Sequence, residues 1–258
     1  MTFESFSPGN SWLHKMDSRI KIVTAVALAF SLSLCQHFIC PGSGLLLGVI
    51  LVTAARLQFT AVMWRLLVVN GFIALLWITL SLTYPGPPLF SFGPLSLSRP
   101  GLELAALITL KSNAIVLLFI ALLATSTVAE LGHGLEALGV PRKFCLLLLF
   151  SYRYIFVISQ EYLRLNRAAK LRGFRPATNL HTYNTYGNLF GMTLVRSWNR
   201  AGRVRQAMVL RGFHGRFYTL SSRNVGIIDL LFLVVIAIIV TGLVFMEINH
   251  GLTLNLLS

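Results

Sequence analysis

Charged residues are scarce in this sequence, and acidic residues are the scarcest of all. Only 12% of the 258 residues are charged, about half the fraction that is usual in soluble domains. Asp and Glu together number 8 against 22 Lys and Arg, which gives a formal net charge of +14. Because 55% of the residues are apolar and the mean hydropathy is +0.74, the composition excludes an ordinary soluble domain and indicates an integral membrane protein.

Motifs for catalysis and for metal binding are also missing. No Gly-x-x-x-x-Gly-Lys-Ser/Thr segment is present, so the chain is not expected to bind ATP through a P-loop. Cys35, Cys40 and Cys145 form no CxxC pair and are interpreted as reduced, apolar side chains. The 6 histidines lack the close spacing of metal ligands. We therefore expect no catalytic residue, no metal site and no cofactor on this chain.

Long apolar runs indicate the membrane segments. A spanning helix needs about 20 mostly apolar residues, and four of five runs reach that length. A Pro- and Gly-rich segment, Tyr84–Pro94, cannot be helical and is expected to form an outer loop between the third and fourth runs. The first twenty residues lack the apolar core of a signal peptide, so the first helix is expected to insert uncleaved. The five runs are Lys21–Cys40, the short Gly44–Leu57, Leu66–Tyr84, Leu102–Ala124 and Val225–Glu247.

Basic residues are concentrated between the fourth and fifth runs. Residues 125–224 contain 15 of the 22 Lys and Arg and only three acids. The excess of Lys and Arg on the cytoplasmic side of membrane proteins places this segment inside the cell. The predicted fold is an all-α polytopic membrane protein with the N-terminus inside and the C-terminus outside. Residues 1–124 would hold four membrane helices, 125–224 a cytoplasmic helical domain, and 225–258 the last membrane helix and an outer tail.

Three helices are expected within the cytoplasmic domain. The first is Ser126–Leu138, whose opening residues offer a helix cap and an early acid. The second and third are Arg142–Leu171 and Thr193–Leu210. The polar, Gly-rich segment Gly173–Gly191 between them is expected to be a loop. The apolar stretch Phe144–Phe150 is too short to span a membrane and is interpreted as packed or interfacial.

The second and third of these helices end in the same four residues, Leu-Arg-Gly-Phe, 39 positions apart. Gly after the last turn and a cation within it are ordinary features of a helix end. Two identical endings on long basic helices favour a further role, because each presents a planar guanidinium that can form two hydrogen bonds to a carboxylate in an acidic groove of a partner. An alanine four residues before each Arg would allow close approach. The endings are Leu171-Arg172-Gly173-Phe174, with Ala168, and Leu210-Arg211-Gly212-Phe213, with Ala207.

Both endings resemble the paired Ala-Arg-Gly motifs of the transmembrane (T) component of energy-coupling factor transporters, although Leu replaces Ala in each. The Phe after each Gly, and Gly215, resemble the cobalt/nickel branch of that family, the CbiQ type. The segment Leu13–Lys21 is similar to the family's N-terminal region. So is Thr125–Thr127, followed by Leu131 and Leu135. The resemblance covers essentially the whole chain.

This resemblance implies a non-catalytic scaffold in a bacterial cytoplasmic membrane. Two cytoplasmic ATP-binding-cassette ATPases would bind the helix tips, and a separate substrate-binding S component, together with a small accessory membrane subunit, would bind in the membrane. ATP would be bound by the ATPases, and the cargo, Co²⁺ or Ni²⁺, by the S component. The ATPase-docking residues would be Leu171, Arg172, Gly173, Leu210, Arg211 and Gly212, supported by Ala168, Ala207, Phe174 and Phe213.

Other functions have weaker support in the sequence. A self-contained secondary transporter needs polar groups within the membrane, and Asn70 and Lys111 supply few of them. Lys111 is interpreted as snorkelling outward, as paired inside the bundle, or as a contact for the S component. A lipid-acting membrane enzyme would need an acid pair or a Ser/His arrangement, and none is apparent. The basic segment is better explained by anionic lipid and an acidic partner than by nucleic acid.

Overall fold

The structure, a computed structural model, describes residues 9, 11–85, 87–92, 95–215 and 226–255. Side chains are described for all of these except 88–92, 95–97 and 248–255. The chain divides into two units. The membrane unit is Met1–Leu138 with Arg223–Ser258, and the second unit, Gly139–Ser222, is called the helical-pair unit below.

Eight α-helices account for most of the described chain. In order along the chain the elements are α1 (Ser18–Leu34), α2 (Ile39–Ala54), α3 (Phe59–Thr83), β1 (Pro88–Phe92), β2 (Leu95–Ser98), α4 (Arg99–Leu122), α5 (Val128–Ala137), α6 (Arg142–Leu171), α7 (Leu180–Leu210) and α8 (Ile227–Asn255), after a 3-10 turn at Leu13–Lys15. The helical-pair unit contains α6 and α7, and all the others belong to the membrane unit. The chain is thus an all-α polytopic membrane protein with one small antiparallel hairpin, β1–β2.

Polar side chains cap the starts of α1, α4 and α5 in the membrane unit. Asp17 accepts a hydrogen bond from the N–H of Arg19 (2.9 Å) at the start of α1. A reciprocal capping box joins Thr127 and Glu130 at the start of α5. This cap confirms the helix start predicted in that part of the sequence. Each such bond satisfies an N–H that has no partner within its own helix.

The interior of the membrane unit lies among α1, α2 and α4. Leu28 and Leu32 of α1 and Leu118 and Leu122 of α4 are almost completely buried there. The outward faces are just as apolar, and Phe72 of α3 is 70% exposed within the unit. Such continuous apolar exposure would be costly in water, so these faces lie against lipid.

Four helices within the described residues are long and apolar enough to cross a membrane, namely α3, α4, α6 and α8. Two of the five predicted spans form shorter helices, since α1 has 17 residues and α2 has 16, and each is therefore about 25 Å long. By length and composition α6 is an additional candidate. The apolar stretch Phe144–Phe150, predicted to be a packed or interfacial segment, is the first part of this 30-residue helix.

The prediction of a loop at Gly173–Gly191 is wrong over most of that segment. Helix α7 begins at Leu180, where Asn179 accepts a hydrogen bond from the N–H of Thr182 (2.9 Å). Residues of low helix propensity continue the helix because packing compensates for them. One such contact is the stacking of Phe190 on Tyr162 of α6, with 5.1 Å between ring centroids.

A glycine at the start of α4 allows α3 and α4 to approach closely. A Cβ added at Gly101 would lie 2.6 Å from the carbonyl oxygen of Leu80 and 2.7 Å from the hydroxyl of Ser98. That hydroxyl accepts the hydrogen bond from the N–H of Gly101 that caps α4. Since the nearest atom belongs to the backbone, the two helices would have to move apart to accept a side chain.

Gly101→Ala is therefore expected to destabilise the membrane unit by about 1–3 kcal/mol, the usual cost of overpacking. The matched control is Gly71→Ala, because a Cβ at Gly71 in the middle of α3 would meet nothing within 4 Å. This second change should be neutral or stabilise by about 0.5–1 kcal/mol, the helix-propensity difference. Melting temperatures of the two purified variants in one detergent test the prediction, and equal values would contradict it.

Candidate docking site

The first Leu-Arg-Gly-Phe ending closes α6 with a Schellman motif. The N–H of Phe174 donates to the carbonyl of Ala169 (3.1 Å), and the N–H of Gly173 donates to the carbonyl of Lys170 (3.0 Å). Gly173 has a φ of +87°, a left-handed conformation that favours glycine. A Cβ at this position would have space, so the backbone conformation is what requires Gly here.

The second ending closes α7 in the same way. Phe213 donates to the carbonyl of Met208 and Gly212 to that of Val209, each over 3.0 Å, and φ of Gly212 is +72°. Arg211 has backbone angles of −89° and 13°, against −87° and 14° for Arg172. The two arginines therefore leave their helices in the same local geometry.

The residues before each glycine project into solvent. Leu171 is 90% exposed and Leu210 is 88% exposed, so a large apolar side chain is exposed at the equivalent position of each ending. Arg172 and Arg211 are exposed as well, and among the described residues neither forms an ion pair. Ala168 and Ala207 are also exposed. Helix capping explains the backbone of these endings, but it does not explain exposed leucines beside unpaired guanidinium groups.

The two phenylalanines differ from the other residues of the endings, because both are half-buried. The ring of Phe174 packs against Tyr186 and His181 of α7, with centroid distances of 5.5 and 6.4 Å. Phe213 lines the groove between α6 and α7. Both rings are thus partly occupied within the helical-pair unit, and their part in a docking surface stays a prediction.

A buried carboxylate joins the two helices that carry the tips. Glu161 of α6 accepts a hydrogen bond from Arg196 of α7 (2.5 Å), and Arg164 and Arg200 lie 3.7 Å from it. Glu161 is the one acid in residues 139–215 of the sequence. Sequence reasoning noted this acid among many cations but assigned it no role, because its main partner lies 35 residues away.

An apolar groove of about 1140 Å³ runs between α6 and α7. Tyr154 and Ile158 of α6 and Trp198 and Val204 of α7 contribute to its walls. Trp198 is 81% exposed. The helical-pair unit thus offers an apolar surface in addition to its two charged tips.

Three polar residues of the membrane helices, Lys111, Asn70 and Asn113, have hydrogen-bond partners within the membrane unit. The ammonium group of Lys111 donates to the carbonyl oxygen of Ser33 (3.1 Å), in the last turn of α1, where helix carbonyls lack partners and the dipole favours a cation. Asn113 and Asn70 exchange hydrogen bonds of 3.0 and 3.1 Å. Of the interpretations of Lys111, pairing inside the bundle matches this geometry. A contact with an S component stays a prediction.

Comparison with known proteins decides the family. The family model described as "Cobalt transport protein", CbiQ, matches residues 9–223, a range that includes both Leu-Arg-Gly-Phe endings. The chain belongs to the CbiQ family. This confirms the resemblance to T components of energy-coupling factor transporters of the cobalt/nickel type. It also makes this CbiQ-family chain a transmembrane subunit of a transport system.

Relatives of this CbiQ-family chain carry related names. The energy-coupling factor transporter transmembrane protein EcfT of Bacillus subtilis is 25% identical over 235 residues, which cover 83% of this chain and 85% of the relative. The cobalt transport protein CbiQ of Rhodobacter capsulatus is 27% identical, over 68% of this chain and 73% of its own length. The nickel permease LarQ of Lactiplantibacillus plantarum is 30% identical over 39% of this chain and 36% of its own.

The carboxylate of Glu161 generates a stability prediction. Glu161→Gln removes the charge that three arginines face, and we expect the helical-pair unit to lose stability, because hydrogen bonds to a charged group contribute more than neutral ones. Glu103→Gln is the matched control, since its partner Arg99 is 70% exposed and Glu103 itself 58% exposed, and surface pairs contribute about 0–1 kcal/mol. Limited proteolysis of α6 and α7 in the two variants checks the difference. Equal cleavage rates would show that Glu161 does not hold the two helices together.

Proposed function

We propose that this chain is the T subunit of an energy-coupling factor transporter for Co²⁺ or Ni²⁺, in which two cytoplasmic ATP-binding-cassette ATPases bind the tips of α6 and α7. The observation that carries the proposal is the pair of identical tips, each with an exposed Leu beside an unpaired Arg. A chain that used these residues only as helix caps would have no need to repeat the leucine at both ends.

The chemistry of the tips suits an acidic groove. A guanidinium is always charged and presents its donors in a planar fork that matches a carboxylate. The neighbouring Leu would add apolar burial, and the exposed Ala168 and Ala207 four residues before each Arg would let a groove wall approach the helix. The charge of this segment supports pairing of each tip Arg with an acid of a partner. Residues 139–215 contain one acid, Glu161, which is already surrounded by arginines.

Coupling requires that the two tips respond together. The hydrogen bond between Glu161 and Arg196 and the stacking of Tyr162 on Phe190 join α6 to α7. Phe174 fastens the end of α6 to α7 as well. A displacement imposed on one tip by an ATPase would therefore reach the other helix through these contacts.

The energy and the cargo would come from other subunits. ATP would be bound and hydrolysed by the ATPases, and this chain would be a non-catalytic scaffold. Co²⁺ or Ni²⁺ would be carried by a separate S component, with a small accessory membrane subunit completing the complex. The apolar groove between α6 and α7 has the character of a surface for such a hydrophobic partner. The relative from Rhodobacter capsulatus is named for cobalt and the relative from Lactiplantibacillus plantarum for nickel, which supports both metals as candidate cargo.

Arg172→Ala and Arg211→Ala test the docking role. As helix caps alone, the arginines would each contribute about 0.3–1 kcal/mol. Removing an Arg from a docked acidic groove leaves a carboxylate buried and unpaired, which costs about 2–5 kcal/mol of binding and thus one to several decades of affinity. We expect each variant to lose metal uptake and co-purifying ATPase, and the double variant to lose both completely. Arg→Lys should also impair docking, because an ammonium cannot form the bidentate pair.

The matched control for the double variant is Arg167→Ala with Arg203→Ala. These arginines are exposed and lie on the same two helices. Replacing both removes the same total charge as the Arg172/Arg211 double variant. The control should retain ATPase and uptake at close to the wild-type level. Full ATPase retention in the Arg172/Arg211 double variant, or equal loss in the control, would refute docking by the tips.

The proposed topology places the N-terminus and the helical-pair unit in the cytoplasm and the C-terminus outside. The three native cysteines are buried, so in the native background we expect an impermeant thiol reagent to label Ser258→Cys in intact cells. Ala177→Cys, between α6 and α7, should react only after permeabilisation. The reverse pattern would mean an inverted chain, and labelling of both positions in intact cells would mean that α6 crosses the membrane.

A further inference from the structure

Three potential metal ligands meet within the membrane unit, and each comes from a different segment. Cys35 directly follows α1, Cys40 lies in the first turn of α2, and Glu247 belongs to α8. One donor atom from each, two thiol sulfurs and a carboxylate oxygen, lie within 4.8 Å of one another. Both cysteines are almost completely buried, at 1% and 2% exposure.

Hydrogen bonds orient the carboxylate toward the thiols. The backbone N–H of Gln36 donates to Oε1 of Glu247 (2.6 Å). Oε2 of the same carboxylate accepts from the thiol of Cys40 (3.4 Å). The thiol of Cys35 donates to the carbonyl of Ser31 (3.2 Å). One carboxylate oxygen is therefore fixed by the backbone, as the supporting hydrogen bonds of metal ligands fix them, and the other faces sulfur.

We propose that Cys35, Cys40 and Glu247 bind a Zn²⁺-type ion, with water as the fourth ligand. Tetrahedral zinc with Zn–S of about 2.3 Å and Zn–O of about 2.0–2.2 Å sets its ligand atoms about 3.5–3.8 Å apart. The observed separation of 3.4 Å between Cys40 and Glu247 fits. Because all three donor atoms lie within 4.8 Å of one another, no pair needs to close by more than about 1 Å. Thiolate ligands favour zinc and other soft or borderline ions over Mg²⁺ or Ca²⁺.

Binding would release the thiol protons, because only the thiolate ligates a metal. Two thiolates and a carboxylate carry three negative charges, which the dication reduces to one. The ion would tie the α1–α2 connection to α8 and would be structural, separate from any transported cargo. The sequence expectation of no metal site failed to anticipate this cluster because Glu247 lies 207 residues after Cys40.

Metal binding to the purified chain alone tests the proposal. Zn²⁺ titration should give one ion per chain with release of protons. Co²⁺ as a spectroscopic probe should give thiolate-to-metal charge-transfer absorption that Zn²⁺ abolishes. Cys40→Ser and Glu247→Gln, which keep size and hydrogen-bonding ability, should each weaken binding by more than the 10–100-fold that loss of a supporting residue typically costs. Cys145→Ser, which changes a buried cysteine of the helical-pair unit, should bind like the wild type.

A second measurement keeps the result independent of folding defects. Zn²⁺ should raise the melting temperature of the wild type and of Cys145→Ser, since a ligand that binds only the folded state stabilises it. Zn²⁺ should leave the melting temperatures of Cys40→Ser and Glu247→Gln unchanged. Absence of charge-transfer absorption, undiminished binding in either ligand variant, or a thiol count showing a Cys35–Cys40 disulfide would overturn the site. Because no ATPase takes part, such a result would leave the proposed function untouched.

Discussion

The need to satisfy backbone groups at helix ends governs much of this structure. Lipid offers no hydrogen bonds, so a carbonyl or N–H left free at a helix end must find a partner within the protein. Lys111 meets this need at the end of α1 through the carbonyl of Ser33. Glu247 meets it just beyond, at the N–H of Gln36. Two of the rare charged side chains of the membrane unit, Lys111 and Glu247, are therefore used where α1 ends.

The same requirement has a different solution in the helical-pair unit. There the chain folds back on its own last turn, and a left-handed glycine completes the bonds at Gly173 and at Gly212. The hydrogen bonds that close α6 and α7 in this way join backbone groups only. Arg172 and Arg211 are consequently available for a partner, although arginines at this position are commonly dismissed as helix caps.

Local patterns in the sequence predicted what depends on neighbouring residues. The bounds Arg142–Leu171, the capping box of α5 and the ends of both basic helices follow from turn and cap chemistry. The start of α7 was missed, because stacking of Phe190 on Tyr162 supports a helix that its Asn, Thr and Gly residues would not form alone. The pairing of Glu161 with Arg196 and the approach of Glu247 to Cys40 connect residues far apart in the chain. Periodicity carries no information about such pairs.

The two endings share one backbone conformation and therefore present equivalent binding surfaces. Ala-x-x-Leu-Arg-Gly-Phe occurs twice, 39 residues apart, and is closed both times by the same two hydrogen bonds. A groove shaped for one ending is shaped for the other, so one kind of binding subunit, used twice, would serve both helices. Any preference between the two positions would have to be encoded by residues that flank the endings, such as Arg175 after the first and His214 after the second.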